Sequence, residues 1–355
     1  MLKSKTNNYF YDPNRDQTAD LLKGLAVLFM IQVHIMELFS LPEIFNSKIG
    51  KVSLFFGGPP AAPLFMAVMG FYFAKSKKSL YQNFKRGTFL FAGGILLNIG
   101  LNFHLLIKIY SGQYNLNPYH YIFGADILTL AGLSIIILAV LKKIFDNKFY
   151  FYFAAALLAG IVNAYLPDIY SNINEPAAYV QSFLWGKVEW SYFPLFPWFA
   201  YSASGAAFYF LKKKYGDKIF SEAIVNSVLA VGFLFLMGTY SYAVNISHNL
   251  FQYYNHNFLF VLWIIVFLVW FTTVADKLET FAGKNVFILY TKWAGKNVTA
   301  FYIVQWLIIG NIATLVFRSF NLYYVIISVA LITVVVSVLV MLWIKIFHSD
   351  TPNRQ

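Results

Sequence analysis

The sequence predicts an all-α fold: a polytopic membrane helix bundle of about ten transmembrane helices with both termini cytoplasmic. Of the 355 residues, 59% are hydrophobic and 12% are charged, and the mean hydropathy is +0.61. A soluble domain carries about a quarter charged residues. Apolar segments recur along the whole chain, and the basic residues alternate between the connecting loops. These observations predict one integral membrane domain over 1–355, with cytoplasmic tails at 1–20 and 348–355.

The predicted spans each approach the ~20 residues needed to cross the hydrocarbon core of a bilayer. They cover roughly 21–40, 60–74, 87–107, 118–141, 149–166, 190–211, 222–243, 257–275, 297–317 and 322–347. The second span is short, and Gly57-Gly58-Pro59-Pro60 predicts a broken entry to it because proline lacks an amide hydrogen. The fifth span is marginal in length.

The distribution of basic residues supports this count. Twenty-two of the 27 Lys and Arg residues fall in one alternating set of segments, and the other five fall in the opposite set. Cytoplasmic loops of membrane proteins are enriched in Lys and Arg. The alternation therefore predicts both termini on the cytoplasmic side.

Composition excludes several classes of function. The formal net charge is +12, but the basic residues separate apolar segments, so they indicate topology and a lipid bilayer partner, with no nucleic-acid partner. Cysteine is absent, which excludes disulfides, thiolate catalysis and cysteine-ligated metals. The first twenty residues are polar, so we expect no cleavable signal peptide.

The first span carries a polar stripe on an otherwise apolar helix. Lys23 and His34 point within about 20° of each other, because a helix turns 100° per residue, and Asp20 and Glu37 extend the same stripe three residues before and after them. Ionisable groups are costly in lipid and usually face a protein interior or a water-filled cavity. The stripe therefore predicts a functional surface within the bundle.

Depth in the membrane separates the candidate residues into two groups. At 1.5 Å per residue, His34 lies about 9 Å from the outer end of its span and Asp126 about 12 Å from the outer end of span four. Other polar or aromatic candidates lie in the outer half or near the middle of the membrane: Asn98, Trp198 and Gln305. The cationic candidates lie at the cytoplasmic end: Lys23, Lys85 and Arg86.

This separation predicts a reaction scheme. A cationic inner mouth would bind an anionic cosubstrate, especially its phosphates. An imidazole deeper in the membrane would act as a general base, oriented by Glu37 or Asp126. Each group also has a purely structural interpretation: interhelical hydrogen bonding for His34, Asp126 and the asparagines, solvation for Glu37, and topological anchoring for Lys85 and Arg86. The sequence contains no clustered His and acid motif, so no metal site is predicted.

Three stretches of the sequence resemble a known family. Asp20-Leu-Leu-Lys-Gly24, followed by apolar residues and His34, resembles the "D-x-x-R-G-(apolar)-H" opening of the transmembrane acyltransferase superfamily. Pro60-Ala-Ala-Pro63-Leu-Phe-Met-Ala-Val-Met-Gly70 and Tyr192-Phe-Pro194-Leu-Phe-Pro197-Trp198 are similar to segments of its heparan-α-glucosaminide N-acetyltransferase-like branch. The segments around Asp126 and Gln305 resemble later spans of these proteins. The resemblance covers roughly residues 15–310.

The resemblance implies an acyltransferase that takes acetyl-CoA from the cytoplasm and modifies a sugar on the far side of the membrane. It makes His34 the candidate catalytic residue and puts Lys23 where relatives carry Arg. Gln305 stands where relatives often have His or Gln. Abundant Lys, Asn and Phe suggest a bacterial source, so the expected location is the bacterial cytoplasmic membrane.

Combining residues and resemblance, we expect acetyl transfer from acetyl-CoA to an amine or hydroxyl of a sugar or glycan, with no metal. His34, Asp126 and Glu37 are the predicted catalytic residues. The predicted donor-binding residues are Lys23, Lys85, Arg86, Asn98, Trp198 and Gln305. Direct transfer is favoured, and an acyl-imidazole on His34 stays open. A homodimer also stays open. Two other functions remain as alternatives: a transporter or flippase that uses the polar stripe as a relay, and a structural partner in an envelope-polysaccharide machine.

Overall fold

The predicted all-α fold is confirmed in the residues that the structure, a computed structural model, describes: 15–166, 176–216, 218 and 221–348. In these ranges regular structure is helical, and β-type pairing is limited to two isolated bridges. In chain order the helices are α1 (Gln17–Phe39), α2 (Pro42–Phe45), α3 (Lys48–Gly57), α4 (Ala62–Lys75), α5 (Leu80–Leu101), α6 (Phe103–Tyr110), α7 (Pro118–Ile122), α8 (Ile127–Phe145), α9 (Phe149–Val162), α10 (Pro176–Leu184), α11 (Leu195–Tyr215), α12 (Glu222–His248), α13 (Leu250–Tyr254), α14 (Phe258–Ala282), α15 (Val286–Lys296), α16 (Val298–Val316) and α17 (Leu322–His348).

The described residues contain seven helical segments that are long and apolar enough to cross a membrane. The number rises to eight if α5 and α6, which meet at a bend of 63°, form one span. Two of the ten predicted spans fall outside this set. Helix α9 has only 14 residues, and α11 is not among the helices that meet both the length and the hydropathy expected of a span. The count of ten and the sides of the termini are therefore not confirmed.

Helix α1 lies between two hydrophobic cores. Leu22, Ala26 and Met30 pack into a large core with residues of α4, α8, α11 and α14. Ile31 and Ile35 pack into a second core with residues of α15, α16 and α17. A helix that is apolar on nearly all sides is expected to be buried. Its polar stripe therefore projects into the bundle.

Helix α15 contacts α1 at very short range. Added Cβ atoms at Gly24 and Gly295 would lie 1.8 Å from the backbone oxygens of Thr291 and Asp20, respectively. Small residues let the backbones of two helices approach each other this closely. The predicted spans leave this segment in a loop, whereas in the structure Val286–Lys296 is helical. Its Lys292 is buried, and its Nζ donates to Glu279 Oε1 at 3.0 Å.

The predicted break before span two is present. Helix α3 ends at Gly57, and α4 starts at Ala62 after a turn in which the Ala61 amide donates to the Gly58 carbonyl oxygen at 3.0 Å. Gln32 of α1 holds α3, because its Nε2 donates to the Ser53 carbonyl oxygen at 2.9 Å and its Oε1 accepts from the Ser53 hydroxyl. The broken segment is thus attached to the central helix.

Backbone pairing fixes the entrance to α8. The Ala125 amide donates to the Trp190 carbonyl oxygen at 2.8 Å, and the Phe193 amide donates to the Ala125 carbonyl oxygen at 2.7 Å. This pairing brings the chain before α11 alongside Asp126, the residue that caps α8. Two segments distant in sequence therefore meet beside a predicted site residue.

The α1–α15 contact yields a stability prediction. Gly295→Ala places a methyl group against the Asp20 carbonyl oxygen, and we expect a loss of about 1–3 kcal/mol, the usual range for overpacking. The measurement is thermal unfolding of the purified protein in detergent. Gly93→Ala is the matched control, because no atom lies within 4 Å of the added Cβ and alanine favours helix by about 1 kcal/mol. Equal melting temperatures for Gly295→Ala and the wild type would contradict the prediction.

Candidate active site

The polar stripe of α1 divides into two clusters. Asp20 and Lys23 belong to one, and His34 and Glu37 belong to the other. Lys23 and His34 are eleven residues apart, which is about 16 Å along a helix axis. One ligand atom cannot contact both, so the clusters are two ends of one surface.

The Lys23 end opens into a cavity of about 300 Å³. Asp20 organises its cations: Lys23 Nζ donates to Oδ1 at 2.6 Å, and Arg15 Nε donates to Oδ2 at 2.7 Å. The ammonium groups of Lys23 and Lys75 lie 5.7 and 5.6 Å from the centre of the Tyr72 ring. Among the residues that the structure describes, the lining is Arg15, Asp16, Asp20, Lys23, Tyr72 and Lys75. Three cations against two acids make the cavity suited to an anion.

His34 is held by an aromatic face. Its ring stacks on Trp306 of α16, with 3.9 Å between the ring centres and 30° between the planes. His34 Nδ1 is buried without a hydrogen-bond partner. The side chain is partly accessible although protein surrounds it. We call the space on its accessible side the crevice, and Nε2 is the nitrogen left to meet a ligand there.

Asp126 is anchored at both carboxylate oxygens. Oδ1 accepts a hydrogen bond from the Ile127 amide, and Oδ2 accepts one from the Tyr302 hydroxyl, both at 2.7 Å. The carboxylate thereby satisfies one of the unpaired amides in the first turn of α8. Tyr302 and Trp306 are four residues apart on α16 and so share one face. One helix face thus contacts both Asp126 and His34.

The acids do not hydrogen-bond His34. In the described part of the chain, neither Glu37 nor Asp126 makes a hydrogen bond to the imidazole, contrary to the expected orientation by an acid. The physical reason for Asp126 is that its oxygens already serve Ile127 and Tyr302.

Two tyrosines lie near both acids. Tyr192 and Tyr254 are each close enough to Glu37 and Asp126 for a charge on either acid to affect the pKa of the phenol. Burial, with the charge of Glu37 next, raises the pKa of Tyr254 well above its usual range. Its phenol therefore stays protonated and can donate a hydrogen bond. The acids and these tyrosines form one polar region, which α16 joins to His34 through Tyr302 and Trp306.

Buried side chains from α11 support the segment that carries Tyr254. Trp198 Nε1 donates to the Tyr254 carbonyl oxygen at 2.8 Å. His256 Nδ1 lies 2.7 Å from the Tyr253 carbonyl oxygen, which can only accept, so Nε2 accepts from the Tyr201 hydroxyl at 2.6 Å. Burial lowers the pKa of His256 to about 4, which keeps the ring neutral. Trp198 therefore holds the backbone of Tyr254 in place.

The other predicted polar residues differ in what they bind. The Asn98 amide donates to the carbonyl oxygens of Ile122 and Gly124 at 3.2 and 2.8 Å, so it supports the approach to α8. Gln305 is fully buried, and both its amide atoms are without a partner. Lys85 and Arg86 are exposed on α5 and do not line the cavity around Lys23. The structure therefore separates them from the cluster they were predicted to join.

Sequence reasoning missed two parts of the site. Lys75 and Tyr72 line the cavity around Lys23, and no sequence pattern distinguishes them from the other loop cations and aromatic residues. Tyr302 and Trp306 lie on the same face as Gln305, and their four-residue spacing is the only sequence signal that relates them. Among the described residues, no three His, Asp or Glu side chains are grouped so that they could hold a metal ion.

Comparison with known proteins identifies one match. The model of the family described as "Heparan-alpha-glucosaminide N-acetyltransferase, catalytic" matches residues 15–250. No curated protein matches the chain. No solved structure matches it either. The matched region includes His34, Asp126 and the cavity around Lys23, and it ends before α16.

The unpartnered amide of Gln305 predicts that a substitution in the core increases the free energy of unfolding. An unsatisfied buried polar group costs about 1–3 kcal/mol, so Gln305→Leu should stabilise the ligand-free protein by about 1–2 kcal/mol. Thermal unfolding in detergent measures the change. Asn98→Leu is the matched control and should destabilise, because it removes two hydrogen bonds to buried backbone. A lower melting temperature for Gln305→Leu would show that the amide stabilises the fold.

Proposed function

Because the chain belongs to the heparan-alpha-glucosaminide N-acetyltransferase catalytic family, we propose that it transfers an acetyl group from cytoplasmic acetyl-CoA to a sugar amine on the outer side of a bacterial cytoplasmic membrane. The proposal rests on the two ends of α1. The Lys23 end borders a cationic cavity, and the His34 end lies near a second acid, Asp126, and two tyrosines. The alternation of basic loops supports a cytoplasmic cavity.

The cavity around Lys23 would bind the phosphates of the acetyl donor. Arg15, Lys23 and Lys75 supply charge-assisted hydrogen-bond donors, which bind phosphate about twice as strongly as neutral donors do. Asp20 keeps Arg15 and Lys23 in place through short hydrogen bonds. Phosphate binding there leaves the acyl end of the donor to extend along α1 toward His34.

His34 would act as the general base. The acceptor nitrogen attacks the thioester carbonyl carbon, and Nε2 of His34 takes the proton that the nitrogen loses. Collapse of the tetrahedral intermediate breaks the carbon–sulfur bond, and the imidazolium returns the proton to the sulfur. The products are an acetamide and the CoA thiol. Direct transfer fits the chain because it has no cysteine to carry the acyl group.

The description of the matched family favours an amine over a hydroxyl, because it names an N-acetyltransferase. An uncharged amine carries both the lone pair that attacks the thioester and the proton that His34 then accepts. N-acetylation is therefore the reaction we propose, and O-acetylation is the alternative outcome of the assay.

The test of function uses purified full-length protein with acetyl-CoA and glucosamine. Free CoA can be titrated with a thiol reagent, because the protein contributes no cysteine. We expect CoA release that depends on glucosamine in the wild type and its loss in His34→Ala, with an unchanged melting temperature. Wild-type turnover in His34→Ala would reject the base. Solute counterflow without CoA release would instead identify a transporter.

The donor site has its own test. We expect Lys75→Ala to raise the KM for acetyl-CoA about fivefold with little change in kcat, because one charged contact of about 1 kcal/mol is lost. Lys85→Ala is the matched control, since Lys85 is exposed outside the cavity. If Lys85→Ala raised the KM for acetyl-CoA and Lys75→Ala did not, the donor would bind at α5 and not in the cavity around Lys23.

A further inference from the structure

One face of α16 contacts the catalytic region although the matched family segment ends at residue 250. Trp306 stacks on His34, and Tyr302 donates a hydrogen bond to Asp126 at 2.7 Å. Gln305 lies between them in sequence with its amide unpartnered. The last third of the chain therefore provides part of the wall around both predicted catalytic groups.

A general base must present its lone pair in a fixed direction. In many enzymes a carboxylate or backbone carbonyl holds the far nitrogen of the imidazole and fixes the ring. His34 lacks such a bond, because Nδ1 is buried without a partner and neither Glu37 nor Asp126 reaches it. The stacked contact at 3.9 Å leaves the ring little freedom to turn about its χ2 angle. Its plane is therefore set by Trp306.

The same contact changes with the charge of the imidazole. An indole face carries negative electrostatic potential, so it attracts an imidazolium more strongly than a neutral ring. His34 becomes an imidazolium only after it accepts the proton from the acceptor. The attraction therefore grows toward the transition state, and an interaction of this kind affects kcat more than binding.

We propose that Trp306 is a positioning residue for His34: its indole face orients the imidazole and stabilises the imidazolium formed during acetyl transfer. This role rests on the proposed function and adds to it a residue outside the matched segment. Trp306 itself does not touch the reacting atoms. It acts through the ring that it holds.

The experiment compares substitutions at Trp306 in purified full-length protein, with CoA release as the assay. Trp306→Leu should lower kcat about tenfold while the KM values for acetyl-CoA and glucosamine change less than twofold. Trp306→Phe, which keeps an aromatic face, should restore kcat to within about threefold of the wild type. Should the leucine variant fail to fold, Trp306→Met replaces it, because methionine conserves bulk without a ring.

The matched control is Trp270→Leu. Trp270 is also partly buried in a helix interface, where its Nε1 donates to the Leu229 carbonyl oxygen at 3.2 Å. This variant should lower the melting temperature without a selective loss of kcat. Three outcomes would overturn the proposal: wild-type kcat in Trp306→Leu, the same fall in kcat in Trp270→Leu, or a folded Trp306→Phe with no recovery.

Failure of this inference can be distinguished from failure of the proposed function. If the wild type releases no CoA in the presence of glucosamine, the proposed function fails before any variant is compared. If the wild type is active, His34→Ala is inactive and Trp306→Leu retains full kcat, only the role of Trp306 is rejected.

Discussion

The close packing of α1 against α15 is the constraint on which the rest of the structure depends. At Gly24 and Gly295 the two backbones approach so closely that neither position has room for a side chain. This contact fixes where α1 lies, and α1 carries polar groups at both of its ends. Asp20 and Lys23 consequently border a cavity, and His34 meets Trp306. A shift of α1 by a single residue would turn the polar stripe through 100° and separate these partners.

Much of this arrangement could be predicted from the sequence, because α1 combines a regular helical period with costly polar residues. The stripe of Asp20, Lys23, His34 and Glu37, its burial in the bundle and the break near Gly58 all follow from local patterns. Helix α15 could not be predicted in this way. Lys292 reads as a solvated loop cation, and only the structure shows that Glu279 neutralises it in a buried site. A charge that is paired within the protein no longer marks a loop.

The hydrogen-bond partners of the polar residues could not be predicted from the sequence for a different reason. Tyr302 and Asp126 are 176 residues apart in the chain, and no local rule relates them. A buried asparagine or glutamine in a membrane helix can serve the scaffold or a ligand, and the side chain alone does not distinguish these uses. Asn98 and Gln305 illustrate the two cases: the first amide bonds two backbone carbonyls, whereas the second has no partner. An aromatic such as Trp306 is harder still to find, because 20% of the chain is aromatic.

The position of α1 between two hydrophobic cores has a consequence for how the chain can be divided. Similarity to the family ends at residue 250, and a fragment cut there would look like a complete catalytic unit. Ile31, Ile35 and Phe39 would then lose the cover that α16 and α17 give them, and a continuous apolar strip of the central helix would face lipid or a foreign surface. The family match therefore ends before the packed core ends. A truncated, permuted or fused version of the protein should keep α16 and α17 together with α1.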